Sequence, residues 1–210
     1  MSVLDDLSGA VASGNRKEAT RLTQAALEAQ IAAKQVVENG LVPGMARIGE
    51  KFKCGEAFVP ELLIAARAMK ESMALLEPLL AKAGVKPKFT ALIGTVQGDL
   101  HDIGKNLVAM MWRGANIGVL DLGTNVTADK FIAAAKEHQP AVIGLSALLT
   151  TTMPAMKQTV AAIKSADLNG AKVMIGGAPI TAQFAQAIGA DAFAADAASA
   201  VDEALALASA

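Results

Sequence analysis

The chain has 210 residues and a formal net charge of −1, from 19 Lys and Arg against 20 Asp and Glu. This near-neutral balance excludes the basic footprint of a nucleic-acid or anionic-membrane partner, and a hydrophobic share of 53% excludes a disordered chain. The single cysteine, Cys54, excludes an intramolecular disulfide framework and a cysteine-based zinc site. Only two histidines, His101 and His138, are available as metal ligands.

The N-terminal segment, residues 1–83, is predicted to form a bundle of about four to five helices. Ser2 and Asp5 give the pattern of a capping box, Gly40 is predicted to end a helix, and Pro60 fits the first turn of the last helix. Apolar residues on that last helix recur at spacings of four and three, which is typical of a packed bundle: Leu62, Ala66, Met69, Met73, Leu76 and Leu80. Residues 84–88 are predicted to be a linker.

From residue 89 the pattern changes, because short apolar runs alternate with amphipathic segments. Runs without polar alternation indicate strands buried on both faces, as in a parallel sheet covered by helices. The runs are residues 90–96, 117–123, 141–148, 172–177 and, more weakly, 191–196. Residues 89–210 are therefore predicted to form a doubly wound, flavodoxin- or Rossmann-like domain with a five-stranded parallel sheet. In such folds ligands bind outside the carboxyl ends of the strands.

The sequence predicts neither a signal peptide nor a transmembrane helix. The first residues, MSVLDDLSGAV, carry acids where a signal peptide would have a basic region. No run of about 18 apolar residues indicates a transmembrane helix. Together with the single cysteine, these features predict a cytoplasmic protein.

The loop after the first predicted strand carries Asp99 and His101, followed by Gly104. An Asp beside a His can accept one ring N–H, which orients the other nitrogen as a metal ligand. Gly104 removes side-chain bulk where a large flat group could approach. The dinucleotide pattern GxGxxG and the phosphate-binding pattern GxxxxGK[ST] are both absent. Taken alone, the pair leaves open a simple capping or surface histidine.

Two further loops begin at the same predicted edge of the sheet. Residues 146–153, after the third strand, carry hydroxyls that either cap the next helix or bind a ligand or the Asp99 carboxylate. Gly176 and Gly177, after the fourth strand, allow either a close backbone approach to a ligand or a tight turn.

These motifs together resemble one known family. DLHDIG, Ser146-Ala147-Leu148 and Gly176-Gly177 resemble the DxHxxG, SxL and GG motifs of cobalamin-binding methyltransferase domains. Residues 41–69 resemble the helical cap domain of the same family. The resemblance covers essentially the whole chain. In size and layout the chain is similar to the small corrinoid proteins of methanol, methylamine and aryl methyl ether methyltransferase systems, with the cobalamin module of methionine synthase a longer cousin.

The resemblance implies roles for individual residues. His101 corresponds to the lower axial ligand of cobalt, which displaces the dimethylbenzimidazole base on the cofactor's own nucleotide tail. Asp99 corresponds to its hydrogen-bond partner, and Thr152 to a hydroxyl that extends this hydrogen-bonded chain. Phe52 and Val59 correspond to cap residues over the upper, methyl-bearing face. Phe193 and Ala195 stand where relatives often carry Tyr and Pro. A contact between a Tyr hydroxyl and the nucleotide tail of the cofactor is therefore not expected. The remaining residues implied in cofactor binding are Gly98, Asp102, Ile103, Gly104, Ser146, Leu148, Thr150, Gly176, Gly177, Ala178 and Phe193.

The resemblance also implies a function and its partners. Such a chain binds cobalamin or a related corrinoid and works as a non-autonomous methyl carrier. It accepts a methyl group on cob(I)alamin from a substrate-specific methyltransferase. It then passes that group from methylcobalamin to a second methyltransferase that loads a thiol or tetrahydrofolate. A reductive activase is a further expected partner, whereas nucleic acid and membranes are not. The identity of the methyl donor is expected to depend on the partner enzyme, and the linker is expected to let the cap move.

Three other classes share parts of this pattern. A cobalamin-dependent sensor or regulatory module usually carries a DNA-binding or signalling domain, for which the chain has neither room nor a basic stripe. A bare receiver-like domain with a helical attachment would not need the three motifs in order. Adenosylcobalamin mutases share the histidine motif but add a large barrel domain and lack the cap sequence.

Overall fold

The computed structural model describes residues 2–209 and divides the chain into two compact units. The helical unit comprises the residues up to Pro87 together with Arg113–Asn116, and the α/β unit comprises Lys88–Trp112 and the residues from Ile117 onwards. The predicted boundaries, 1–83, 84–88 and 89–210, stay a prediction. No helix among residues 2–209 is long and apolar enough to cross a membrane.

The helical unit begins as the sequence predicts. Ser2 and Asp5 form a capping box, in which the Ser2 hydroxyl accepts from the Asp5 backbone N–H and the Asp5 carboxylate accepts from the Ser2 N–H. Asn15 caps the second helix by accepting from the N–H of Glu18. The helices are α1 (Val3–Ala12), α2 (Arg16–Glu28), α3 (Ala33–Val36), α4 (Val42–Lys53) and α5 (Val59–Lys82), with a π-helical turn (Val37–Leu41) between α3 and α4.

The predicted helix end at Gly40 is wrong. The chain continues through the π-helical turn directly into α4, and Gly40 is buried. A Cβ at Gly40 would lie 2.8 Å from Leu7 Cδ2, and one at Gly44 would lie 2.7 Å from Val11 Cβ. Both glycines therefore allow α1 to pack closely, and neither marks a helix end. The wider turn carries the one extra residue inside an otherwise continuous helix.

The core of the helical unit is aliphatic. Each fully buried Leu or Met contributes about 1.5–3 kcal/mol relative to an exposed side chain. The largest buried side chains of this unit are Leu7, Leu41, Met45, Leu62 and Leu76.

The α/β unit confirms the predicted fold class. Within residues 2–209 its sheet has five strands, all parallel, in the order β2-β1-β3-β4-β5. The strands are β1 (Thr90–Thr95), β2 (Gly118–Asp121), β3 (Val142–Ser146), β4 (Lys172–Gly176) and β5 (Ala192–Ala194). The helices between and after them are α6 (Ile103–Gly114), α7 (Ala128–His138), α8 (Met153–Ser165), α9 (Ala182–Ile188) and α10 (Ser199–Ser209), and a 3-10 turn (Thr150–Thr152) precedes α8.

A glycine in the central strand β3 makes room for a large aromatic side chain. Trp112 is fully buried, and its Nε1 donates to the Ala200 carbonyl at 2.9 Å. A Cβ at Gly144 in β3 would lie 2.8 Å from Trp112 Cη2. The glycine therefore lets the indole pack against the sheet.

The strand register positions the candidate site. Thr95 at the end of β1 pairs with Ser146 at the end of β3, and Ser146 pairs with Gly176 at the end of β4. The chain order switches direction between β1 and β3, which is where doubly wound sheets bind ligands. The three loops singled out from the sequence therefore begin side by side.

Candidate functional site

The loop between β1 and α6 holds a histidine on a buried carboxylate. Asp99 has no exposed surface, and its Oδ1 lies 2.7 Å from His101 Nδ1. The same oxygen accepts from the His101 backbone N–H at 3.1 Å. An ionised Asp99 keeps the ring proton on Nδ1, so Nε2 is left as the free nitrogen. Half of the His101 side chain, 51%, is exposed.

The loop after β3 binds the other oxygen of Asp99. Oδ2 accepts from the Leu148 N–H at 2.7 Å, from the Leu149 N–H at 3.4 Å and from Thr152 Oγ1 at 2.8 Å. Burial raises the pKa of Asp99, but hydrogen bonds from Leu148, His101 and Thr152 outweigh this effect and hold the pKa well below its usual range. The carboxylate therefore stays ionised at neutral pH and joins two loops of the sheet edge.

This ionised carboxylate predicts an acid-sensitive fold. Because the folded pKa of Asp99 lies below the ordinary value of 3.8, its contribution to stability is present above that pH and is lost as the pH falls further. Asp99→Asn is expected to lower the free energy of unfolding by about 1–3 kcal/mol at pH 7. It is also expected to flatten the decline of that free energy below pH 4. Urea unfolding of the apoprotein across pH 2.5–7 measures both effects.

The control for this measurement is Asp129→Asn, because Asp129 is an exposed carboxylate in the first turn of α7. That variant is expected to keep the wild-type pH dependence. Equal slopes for wild type and Asp99→Asn below pH 4 would contradict the stabilising role of the ionised carboxylate.

Four large apolar side chains are exposed on the two loops that hold Asp99. Leu100 and Ile103 are 73% and 78% exposed, and Leu148 and Leu149 are 42% and 41% exposed. Large apolar side chains gathered on neighbouring loops are typical of a surface that a ligand or partner covers. A Cβ at Gly104, the second residue of α6, would have no atom within 4 Å. The start of α6 is therefore open on this side.

The sequence left open whether Gly177 allows a ligand to approach the backbone or forms a tight turn, and the structure shows a contact within the chain. Its φ is +131°, and a Cβ there would collide with the Ala147 carbonyl oxygen. Ala147 also donates its N–H to the Gly176 carbonyl at 3.2 Å. The close approach that Gly177 permits is therefore to the chain's own β3 loop.

The predicted site residues fall into two groups. Asp99, His101, Leu148 and Thr152 are brought together by the contacts described above, and the other predicted residues of the α/β unit lie on that unit's loops and strand ends. These are Gly98 (φ +85°) before Asp99, Asp102 and Ile103 at the start of α6, Ser146 ending β3, Thr150 in the 3-10 turn, Gly176 ending β4, Ala178 after Gly177, and half-buried Phe193 in β5. Phe52 in α4 and Val59 at the start of α5 belong to the helical unit. Their place over a cofactor stays a prediction, as do the binding roles of the others.

Sequence reasoning missed several groups that support the loop. The buried Thr95 hydroxyl donates to the His101 carbonyl at 2.8 Å. Lys105 is buried, and its Nζ lies 2.7 and 2.6 Å from the two carboxylate oxygens of Asp121 and 2.7 Å from Asn106 Oδ1. A Lys in the first turn of a helix usually indicates a solvated position. The position of Lys105 directly after Gly104 in the motif is the one sequence feature that could have predicted its supporting role.

The donors present fit a metal-bearing macrocycle. The site supplies one imidazole nitrogen oriented by a buried carboxylate, an apolar rim, and open space beside Gly104. A single imidazole ligand suits a metal whose other ligands come with its own ring, as in a cobalt corrinoid.

Comparisons with known proteins identify the family of the chain. The B12 binding domain family matches residues 89–205, and a second B12 binding domain model matches residues 3–77. A corrinoid protein of Desulfitobacterium hafniense is 40% identical over 206 residues, covering 96% of this chain and 95% of that protein. Dimethylamine corrinoid protein 1 of Methanosarcina acetivorans is 37% identical over 204 residues, covering 96% of this chain and 95% of its own.

A solved structure extends the match to the whole fold. The methanol:cobalamin methyltransferase complex of Methanosarcina barkeri contains a chain that superposes with a TM-score of 0.86 at 28% identity, covering 99% of this chain and 80% of that one. The chain therefore belongs to the family of B12-binding corrinoid proteins found in methyltransferase systems.

Proposed function

We propose that this protein is a corrinoid methyl carrier. It takes a methyl group from a substrate-specific methyltransferase and passes it to a second methyltransferase with a thiol or tetrahydrofolate acceptor. The observation that carries the proposal is the chain from His101 through buried Asp99 to Thr152 at an open, apolar sheet edge. When bound, the corrinoid supplies a cobalt atom that can accept and release a methyl group. The names of the relatives and of the matched complex support this role.

In this proposal His101 Nε2 is the ligand to cobalt and Asp99 keeps the Nδ1 proton in place. Donors from Leu148, His101 and Thr152 surround Asp99, so this carboxylate is a poor place for an additional proton. If the imidazole were not bound to the metal, a proton would be held at Nε2 rather than on Asp99, and the ionised carboxylate would stabilise the resulting cation. The Thr152 hydroxyl has one proton and two acceptors, Asp99 Oδ2 at 2.8 Å and the Leu149 carbonyl at 2.9 Å. It can remain hydrogen-bonded while the charge on the pair changes.

The rest of the chain would hold and cover the cofactor. Gly104 leaves space for the displaced nucleotide tail, and the exposed Leu100, Ile103 and Leu148 exclude water around the metal ligand. The helical unit, through Phe52 and Val59, would cover the methyl-bearing face. Residues 84–88 would allow that unit to move when a partner enzyme binds. A reductive activase would restore the cofactor after oxidation.

A transfer assay tests the proposal. The protein is reconstituted with hydroxocobalamin, reduced, and mixed with a methyltransferase and its donor: methanol, a methylamine or a methoxylated aromatic. One pairing is expected to change the cofactor absorption to that of the methylated form, and a thiol- or folate-dependent methyltransferase is expected to reverse the change. Hydroxocobalamin at the same concentration without protein is the control. Tight corrinoid binding without transfer by any of these enzymes would contradict the carrier role and favour a regulatory module.

A further inference from the structure

The loop between β2 and α7 holds the backbone on both sides of Asp99. Asn125 Oδ1 accepts from the Gly98 N–H at 2.8 Å, and the Asn125 N–H donates to the Asp99 carbonyl at 3.0 Å. All three residues belong to the α/β unit. One side chain and its own backbone therefore bracket the residue that orients His101.

The Gly98 N–H that Asn125 binds belongs to a tight turn, and such a turn has two possible forms. The Asp99 N–H donates to the Val96 carbonyl at 3.1 Å, and Gly98, the third residue of this turn, has φ +85° as in a type II turn. Type I and type II turns differ by rotation of the central peptide group. In this turn that peptide carries the Gly98 N–H, so its bond to Asn125 Oδ1 selects one of the two orientations.

Asn125 can hold the turn because its own loop is fixed to β1. The Leu122 N–H donates to the Ile93 carbonyl at 2.8 Å, and the Val126 N–H donates to the Thr95 carbonyl at 2.9 Å. At the start of the loop, the exposed Asp121 makes an ion pair with the buried Lys105. Asn125 itself has φ 53°, a left-handed conformation that Asn adopts more readily than most residues.

We propose that Asn125 is a positioning residue for the Asp99–His101 pair. It fixes the peptide group between Gln97 and Gly98 and the carbonyl of Asp99. Through Asp99 it fixes where His101 Nε2 would meet the metal of a bound corrinoid. The proposal rests on the function proposed above, because it assumes that His101 is a ligand. It extends the site to a fourth loop, outside the three that carry the motifs.

Two substitutions at this position separate its features. Asn125→Gly keeps the left-handed backbone and the N–H bond to Asp99 but removes the acceptor for Gly98. Asn125→Asp keeps an acceptor oxygen at the same place and also tolerates the left-handed conformation. Asn169→Gly is the matched control, because Asn169 also has φ 53° and lies in the turn before the amino end of β4.

Amide hydrogen exchange of the apoprotein measures directly whether the Gly98 N–H is hydrogen-bonded to Asn125. Exchange of the Gly98 N–H is expected to accelerate in Asn125→Gly and to stay near wild type in Asn125→Asp and Asn169→Gly. Hydroxocobalamin titration is expected to show affinity about three- to tenfold weaker in Asn125→Gly, the effect of losing one hydrogen bond, and near wild type in the other two variants. EPR of the Co(II) protein is expected to show a smaller fraction with histidine nitrogen coupling in Asn125→Gly alone.

The outcomes separate this proposal from the proposed function. Wild-type exchange, affinity and coupling in Asn125→Gly would overturn the role of Asn125, and so would equal losses in Asn125→Asp or Asn169→Gly. A wild-type protein that binds no hydroxocobalamin, or binds it without histidine coupling, would instead contradict the function on which the proposal rests.

Discussion

His101→Ala is expected to remove histidine nitrogen coupling from the EPR spectrum of the Co(II) protein and to give a base-off absorption spectrum. The reason is that His101 is held on buried Asp99 through Nδ1, with Nε2 left as the free nitrogen. Loss of residues that merely orient a ligand typically weakens metal affinity by 10- to 100-fold. Affinity for hydroxocobalamin is therefore expected to fall by at least about tenfold when the ligand itself is removed.

The second histidine provides the matched control. His138 is the last residue of α7, partly exposed beside Glu137. His138→Ala is expected to keep the wild-type absorption, coupling and affinity. Coupling that persists in His101→Ala, or that disappears in His138→Ala, would contradict the assignment of His101 as the ligand.

The contacts among Asp99, His101 and Thr152 could be predicted because the residues are close in the sequence or are brought together by the topology of the sheet. Asp99 and His101 are two residues apart, so their pairing needs only a short loop. The unbroken apolar runs predict a parallel sheet, and the ends of parallel strands meet at one edge. The topology therefore predicts that hydroxyls of residues 146–153 can lie near Asp99. The family resemblance singles out Thr152 among them, 53 residues after Asp99.

The supporting contacts could not be predicted because they depend on tertiary register. Asn125 is a polar residue in a turn, and no pattern around it indicates that it binds the backbone near Asp99. Lys105 is a polar residue at a helix start, and apart from its place in the motif no sequence feature indicates that it is buried. Gly40 followed a reliable rule for helix ends, yet its small size serves packing against Leu7. In each case the deciding partner lies far away along the chain.

Two glycines that look alike in the sequence have different reasons to be glycine. Gly177 has a positive φ and no space for a Cβ, so the fold itself requires it. Gly104 has ordinary helical neighbours and free space, so nothing in the chain itself requires a glycine there. Because the fold does not require a glycine at position 104, a substitution there tests whether a cofactor occupies the space beside it.

Gly104→Leu is expected to leave the apoprotein as stable as wild type or to stabilise it by up to about 1 kcal/mol, since Leu favours a helix more than Gly does. The same change is expected to weaken hydroxocobalamin binding by more than about tenfold, because the side chain would fill the space that the cofactor occupies in the proposed function. Urea unfolding and a binding titration measure the two effects separately. Opposite signs for stability and binding are the expected signature.

Gly9→Leu distinguishes this signature from a general effect of helical glycine replacement. Gly9 is an exposed glycine within α1, and a Cβ there also has no atom within 4 Å. Its replacement is expected to affect stability in the same direction and to leave binding unchanged. If Gly104→Leu bound hydroxocobalamin like wild type, the space beside the start of α6 would not hold the cofactor. If it lost stability and binding together, Gly104 would be required by the fold, and the open space would carry no information about a ligand.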